Sequence, residues 1–213
     1  MTRQIKICGL SRPEEIDAAA AAGATHIGLV HFPKSPRHLE LEAARKLRLT
    51  VPIGGKTVVL VVNPDGKLLA NIKEVLAPDV IQFHGDAPPE ALEAVKALFE
   101  VEVWKALPVR GLSSLDESAA YDGFADRLLF DAPPPEGSDI PGGNGEAFGW
   151  SILKDYSHRS PWALAGGLNP QNVARAIRET SADFVDVSSG VESAPGIKDV
   201  DKIAAFCKAA RAA

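Results

Sequence analysis

The feature that most constrains the fold is a regular alternation of short apolar or β-branched runs with helical stretches. Eight runs have the length and composition of buried strands, and they occupy residues 4–8, 26–30, 56–62, 80–83, 101–107, 127–131, 162–165 and 184–187. Helices are predicted between them, from Ile16 onward and at about 40–49, 65–76, 88–98, 112–121, 148–156 and 198–211. Ser11-Arg12-Pro13-Glu14 predicts a capping box, and Asn169-Pro170 predicts an N-cap followed by proline at the first helical position.

This order of elements favours an α/β fold with a parallel sheet. No change of composition marks a boundary between domains, so residues 1–213 are predicted to form one domain. Eight strand–helix units in 213 residues allow about 27 residues each, enough for a compact (β/α)8 TIM barrel. An open doubly wound sheet has the same alternation and is the alternative.

Side-chain parity within the strands favours the barrel. In four strands, polar residues alternate with aliphatic ones and concentrate toward the carboxyl ends. Since the inward side chains at that end of a barrel line its active site, these residues are predicted to face a shared crevice. They are Lys6 and Cys8, Gln82 and His84, Asp131, and Asp186 and Ser188.

The charge and the cysteine content narrow the class of protein. A formal net charge of -5 argues against a nucleic-acid partner, which would require a basic surface. The strongest apolar run, 58–62, is too short to span a membrane, and the N-terminus has no apolar signal stretch. Cys8 and Cys207 lie at opposite ends of the chain and suit a reducing compartment. We therefore expect a cytoplasmic protein with no membrane partner.

Two glycine-containing turns predict a phosphate site. Gly166-Gly167 follows the seventh predicted strand, and Ser188-Ser189-Gly190 follows the eighth. Glycine lets backbone N–H groups approach a phosphate, and barrels commonly bind phosphate at these two loops. Each turn alone could equally be only a tight turn. Together they predict a small phosphorylated substrate.

Cys8 and Lys6 share one face of the first strand. A lone cysteine is more often a small buried apolar residue, but a nearby ammonium can lower the pKa of a thiol and supply thiolate. Because a buried lysine needs a carboxylate partner, Asp186 or Asp131 is expected to pair with Lys6.

Asp131 ends the sixth strand and precedes a Pro- and Gly-rich segment, 132–147, that resembles a lid. Arg37, in the loop after the second strand, suits two-pronged contact with a carboxylate, although it could equally be a solvated surface charge. His84 is placed where a metal-dependent epimerase would hold a ligand. No close-spaced pair of ligands accompanies it, so no metal is predicted.

Six segments in order resemble the phosphoribosylanthranilate isomerase family of tryptophan biosynthesis, and the likeness runs nearly end to end. The segments are Lys6-Ile7-Cys8-Gly9-Leu10, Ser35-Pro36-Arg37, Gln82-Phe83-His84-Gly85, Asp131 with Gly142-Gly143-Asn144-Gly145, Leu164-Ala165-Gly166-Gly167-Leu168-Asn169-Pro170, and Asp186-Val187-Ser188-Ser189-Gly190-Val191-Glu192.

The resemblance implies an Amadori rearrangement of N-(5-phosphoribosyl)anthranilate to 1-(2-carboxyphenylamino)-1-deoxyribulose 5-phosphate, without a cofactor. It implies that Asp131 is the general acid, that Cys8 is the general base and that Asp186 stabilises the cationic nitrogen. Desolvation is then expected to raise the pKa of Asp131, and positive neighbours are expected to lower that of Cys8. Substrate contacts are implied for Lys6, Arg37, Gln82, His84, Gly143, Gly166, Gly167, Ser188, Ser189 and Gly190.

These sequence features are also weighed against two other functions. An isomerase of a histidine-pathway ribotide would carry aspartate where Cys8 stands, so the thiol argues against it. A catalytically silent barrel that binds phosphorylated ligands is the alternative from another class. The protein is expected to be a monomer or a homodimer.

Overall fold

The computed structural model describes residues 3–133, 149–154 and 159–213. Eight parallel strands form a closed barrel in chain order, and the eighth pairs with the first. The predicted (β/α)8 barrel is therefore confirmed and the open sheet is excluded. The strands are β1 (Gln4–Cys8), β2 (His26–Val30), β3 (Lys56–Val62), β4 (Val80–His84), β5 (Glu102–Pro108), β6 (Arg127–Asp131), β7 (Trp162–Leu164) and β8 (Phe184–Val187).

Helices cover the outside of the barrel, where the aliphatic face of each strand needs a partner. They are α1 (Pro13–Ala21), α2 (Leu41–Arg48), α3 (Gly66–Asn71), α4 (Pro89–Phe99), α5 (Leu112–Ser118), α6 (Val173–Thr180) and α7 (Val200–Ala212). A π-helical turn, Ile72–Leu76, extends α3, and a 3₁₀ turn, Ala119–Tyr121, extends α5. In the described part of the chain, no helix is both long and apolar enough to cross a membrane.

The start of α1 differs from the prediction by one residue. Arg12 is the N-cap, and the carboxylate that reaches back belongs to Glu15 instead of Glu14. It accepts hydrogen bonds from the backbone N–H groups of Ser11 at 2.7 Å and Arg12 at 3.2 Å. Because Pro13 occupies the first helical position, the third position, where such a carboxylate acts, is Glu15.

The helix predicted to begin at Pro170 instead begins at Val173, so that prediction was wrong. The Asn169 side chain accepts hydrogen bonds from the backbone N–H groups of Gln171 at 2.9 Å and Asn172 at 3.0 Å. These bonds form a turn before the helix, which is the other structure that asparagine favours beside proline.

The region predicted as a helix at 148–156 contains a 3₁₀ turn, Trp150–Leu153, followed by residues outside the described ranges. A two-stranded antiparallel hairpin after β8, formed by β9 (Glu192–Ala194) and β10 (Ile197–Lys198), was not predicted. Its strands are too short to give a periodic signal.

An aromatic layer fills the amino-terminal half of the barrel interior. Trp104 and Phe184 pack edge-to-face at 5.4 Å, and His26 lies against both rings. The guanidinium of Arg127 lies 4.6 Å from the centre of the Phe184 ring. Because this end is closed by side chains, the space for a ligand is at the carboxyl end of the strands.

Candidate active site

A buried ion pair joins the first and last strands of the barrel. Lys6 and Asp186 are directly opposite each other in the β1–β8 register, and Lys6 Nζ donates to Asp186 Oδ1 at 2.9 Å. Lys6 is 0% exposed and Asp186 is 8% exposed. Burial opposes the charge on Lys6, but Asp186 and then Cys8 raise its pKa above the ordinary value. Of the two carboxylates predicted as partners, Asp186 is the one that pairs with Lys6.

Cys8 follows Lys6 on the same inward face, and its thiol is buried. The opposing residue in the β1–β2 register is Gly28, where a Cβ atom would lie 2.8 Å from Cys8 Cα and 3.2 Å from its sulfur. Gly28 thus leaves the space that the thiol occupies, a role that the sequence analysis missed.

The electrostatic prediction for Cys8 was wrong for the free protein. Burial raises the pKa of the Cys8 thiol above 9.0, Lys6 and Lys198 act to lower it, and Asp186 acts to raise it further. Desolvation outweighs the two cations. The thiol is therefore protonated in the free protein near neutral pH.

Asp131 ends β6 at the same end of the barrel as Cys8. Loss of hydration and then the neighbouring Asp186 carboxylate raise the pKa of Asp131 from 3.8 to about 7, although the Ala132 N–H and the charge of Lys6 oppose this rise. The Ala132 N–H donates to Asp131 Oδ1 at 2.8 Å. A carboxyl group with this pKa can donate a proton near neutral pH, as the sequence analysis expected.

Gln82 and His84 reach the same end of the barrel from β4. Their side chains hydrogen-bond to each other, with Gln82 Nε2 and His84 Nε2 2.7 Å apart. Burial, followed by the charges of Lys105 and Lys6, lowers the pKa of His84 to about 3, so the imidazole is neutral. Gln82 Oε1 is buried and has no hydrogen-bond partner among the described residues. A pocket of about 190 Å³ is lined by both His84 and Asp131.

The two predicted phosphate-binding turns contact each other and the strand that carries Asp131. A Cβ atom at Gly190 would lie 1.8 Å from the carbonyl oxygen of Leu168. At Gly166, where φ is +79°, it would lie 2.2 Å from the backbone nitrogen of Ala132. Only glycine permits these approaches. The structure thus brings Gly166, Gly167, Ser188, Ser189 and Gly190 to one edge of the barrel mouth, as predicted.

Arg37 is buried, which excludes the solvated alternative. Its Nε and Nη2 donate to the two carboxylate oxygens of Glu192 at 2.7 and 2.9 Å. The arginine packs over Gly9, where a Cβ atom would lie 2.6 Å from Arg37 Cδ. The two-pronged geometry predicted for Arg37 is therefore present toward a carboxylate of the protein itself.

Glu192 and Lys198 are buried charges of the hairpin that the sequence analysis did not place in the site. Lys198 Nζ donates to Glu192 Oε1 at 2.7 Å and to the Ser188 carbonyl at 2.9 Å. Glu192 could have been found in the sequence, because it ends the last of the six segments that resemble the family. Lys198 lies outside those segments, and no sequence pattern indicated it. No group of three or more metal-ligating side chains occurs in the described ranges, which do not include Gly143 or most of the predicted lid segment.

Comparison with known proteins places this site in a family. The sequence profile of N-(5'-phosphoribosyl)anthranilate (PRA) isomerase matches residues 5–209. A protein of that name from Erythrobacter litoralis is 55% identical over 207 residues, which are 97% of this chain and 98% of the relative. The chain belongs to the phosphoribosylanthranilate isomerase family.

Solved structures of this family agree in fold over the whole chain. The enzyme from Thermotoga maritima has a TM-score of 0.90 at 33% identity and covers 99% of this chain and 100% of that one. A structure of a family member in complex with reduced 1-(o-carboxyphenylamino)-1-deoxyribulose 5-phosphate has a TM-score of 0.87 at 31% identity, with the same coverage. The family resemblance inferred from the six sequence segments is thus confirmed.

Proposed function

We propose that this protein converts N-(5-phosphoribosyl)anthranilate to 1-(2-carboxyphenylamino)-1-deoxyribulose 5-phosphate by an Amadori rearrangement in tryptophan biosynthesis. The observation that carries the proposal is the pair of groups at one barrel mouth. Asp131 has a pKa raised to about 7, and Cys8 lies beside the buried ion pair of Lys6 and Asp186. Family membership supplies the substrate class.

Asp131 is the general acid in this proposal. The reaction begins when the ribose ring oxygen accepts a proton, the ring C–O bond breaks and an iminium cation forms. A carboxyl group with a pKa of about 7 is substantially protonated at neutral pH and still transfers its proton readily. The neighbouring carboxylate of Asp186 then stabilises the cationic nitrogen.

Cys8 is the general base that takes the C2 proton and leaves an enolamine, which tautomerises to the ketone. The thiol must first ionise by releasing its proton to water, and its burial opposes this. The preceding step leaves Asp131 negative and the substrate nitrogen positive, and the iminium cation favours the thiolate, as Lys6 does. After turnover, Cys8 again carries a proton, as in the free protein, and Asp131 regains its proton from water before the next cycle.

The remaining contacts of the substrate follow from the positions of the polar groups. The backbone of Gly166–Gly167 and Ser188–Gly190 is proposed to hold the phosphate, and the unpartnered Oε1 of Gln82 is proposed to accept a substrate hydroxyl. Glu192 fixes the plane of the Arg37 guanidinium. Contact between Arg37 and the anthranilate carboxylate stays a prediction, as does the cytoplasmic location.

The assay is the loss of anthranilate-type fluorescence when the purified protein meets phosphoribosylanthranilate. We expect turnover by the wild type and a loss of about 100-fold or more in kcat for Cys8→Ser and for Asp131→Asn, the usual contribution of a general acid or base. The matched control is Cys207→Ser, which alters the other buried thiol, on α7. Substrate binding without turnover by the wild type would instead establish the silent phosphate-binding barrel. Wild-type rates in either site variant would remove that residue from its role.

A further inference from the structure

The hairpin after β8 places a second ammonium group, in addition to that of Lys6, near the candidate base. Lys198, on β10, is 3% exposed although it carries a charged side chain. A buried lysine is costly unless it has partners. The ammonium of Lys198 has three hydrogen-bond acceptors. They are the carboxylate of Glu192, the carbonyl oxygen of Ser188 at 2.9 Å and the hydroxyl oxygen of Ser188 at 3.4 Å.

Ser188 connects Lys198 to Cys8. The Ser188 hydroxyl donates to the Cys8 carbonyl at 3.1 Å, so the ammonium, the serine and the cysteine form one continuous chain of contacts. The charge of Lys198 acts on the Cys8 thiol and favours its ionised form. The contact therefore bears on the base as well as on the phosphate loop.

Two contacts with other segments and one internal hydrogen bond hold the hairpin in place. Gly196, between β9 and β10, has a φ of +79°, and a Cβ atom there would lie 2.5 Å from the Pro36 carbonyl oxygen. The Gly196 N–H donates to Glu192 Oε2 at 3.2 Å, and Lys202 Nζ donates to the Glu192 carbonyl at 2.7 Å. The hairpin that carries Lys198 thus packs against the loop that carries Arg37.

Cys8 lies beside a cluster of buried ion pairs. The described residues of this cluster comprise three cations, Lys6 on β1, Arg37 after β2 and Lys198 on β10, and two carboxylates, Asp186 on β8 and Glu192 on β9. Asp131, across the mouth on β6, is uncharged below its pKa of about 7 and adds a third negative charge above it. The facing position on β2 is the uncharged Gly28. With the thiol protonated, these groups have one net positive charge below that pKa and none above it.

We infer that Lys198 is a positioning residue whose positive charge enables Cys8 to ionise within the buried site. Without Lys198 the cluster is more negative by one charge, whether or not Asp131 carries a proton, and a more negative desolvated site opposes formation of the thiolate. This inference deepens the proposed function, since it explains how a buried thiol can serve as the base.

The experiment measures the ionisation of the Cys8 thiol directly, without substrate. Protein labelled with ¹³C at cysteine Cβ is titrated by NMR, and Cys8→Ser assigns the remaining signal to Cys207, which serves as an internal control for folding. We expect Lys198→Met and Lys198→Gln to reduce the thiolate fraction of Cys8 about tenfold at a given pH. Lys198→Arg is expected to keep it near the wild-type value, because it keeps the charge. Lys46→Met, on the exposed side of α2, is the matched control and leaves the titration unchanged.

Kinetics separate this role from a structural one. With phosphoribosylanthranilate, Lys198→Met is expected to lower kcat about tenfold relative to the wild type at the same pH. If Lys198 only supports the phosphate loop, KM rises while the Cys8 titration is unchanged, and that result overturns the inference. Because the titration needs no substrate, it stands or fails separately from the isomerase activity.

Discussion

Asp131 gives a test in which stability and activity move in opposite directions. Its pKa is raised from 3.8 to about 7 in the folded protein, so between these values the folded state binds more protons than the unfolded state. Stability then falls as pH rises through this window, and the penalty is fully present above pH 7. Each tenfold change in proton affinity is about 1.4 kcal/mol, so the full penalty is about 4 kcal/mol. Solvent screening at this partly exposed site reduces the expected value to about 2 kcal/mol.

Asp131→Asn removes the titrating group and with it the penalty. The variant should therefore be more stable than the wild type at high pH but not at low pH. We expect the variant to gain about 2 kcal/mol relative to the wild type on going from near pH 4 to near pH 8, measured by urea unfolding followed by tryptophan fluorescence. The matched control is Asp116→Asn on α5, which removes an exposed carboxylate. An equal stability difference for Asp131→Asn at both pH values would refute the assigned shift.

Two further substitutions test the contacts that hold the site. Asp186→Asn leaves Lys6 buried without a carboxylate and should destabilise the protein by about 3–5 kcal/mol; an unchanged urea midpoint would show that the pair is not buried as described. Gly190→Ala places a Cβ atom 1.8 Å from the Leu168 carbonyl oxygen, so KM for the phosphorylated substrate should rise about tenfold or more while kcat changes less. Gly66→Ala, where a Cβ atom meets nothing within 4 Å, is its control, and an equal KM in both variants would contradict the phosphate assignment.

The barrel could be predicted because its strands carry a strong local pattern. In β1 and β4, aliphatic residues alternate with Lys6, Cys8, Gln82 and His84, so both the strands and their inward faces follow from the period of two. The start of α6 could not be located, because asparagine before proline is compatible with both an N-cap and a separate turn. The hairpin β9–β10 depends on tertiary contacts, such as that of Gly196 with Pro36, which leave no periodic trace.

The sequence predicted the positions of several inward polar side chains but not how they pair. Strand parity placed Lys6, Cys8, Asp131 and Asp186 on one inward face, and only the structure shows that Asp186 is the partner of Lys6. The sign of the net effect on the Cys8 pKa also depends on a balance between burial and two cations, which a sequence does not contain. Lys198 was missed for the same reason, since its proximity arises from the folded hairpin.

The interlocking of the loops at the barrel mouth limits how this scaffold can be re-engineered. The turn after β7 touches the residue beyond β6, the turn after β8 touches the one after β7, and the hairpin touches the loop after β2. If only one of these loops were replaced by that of a relative, its backbone would no longer fit the loops that it contacts. Directed changes of substrate preference should therefore exchange the contacting segments after β2, β6, β7 and β8 together.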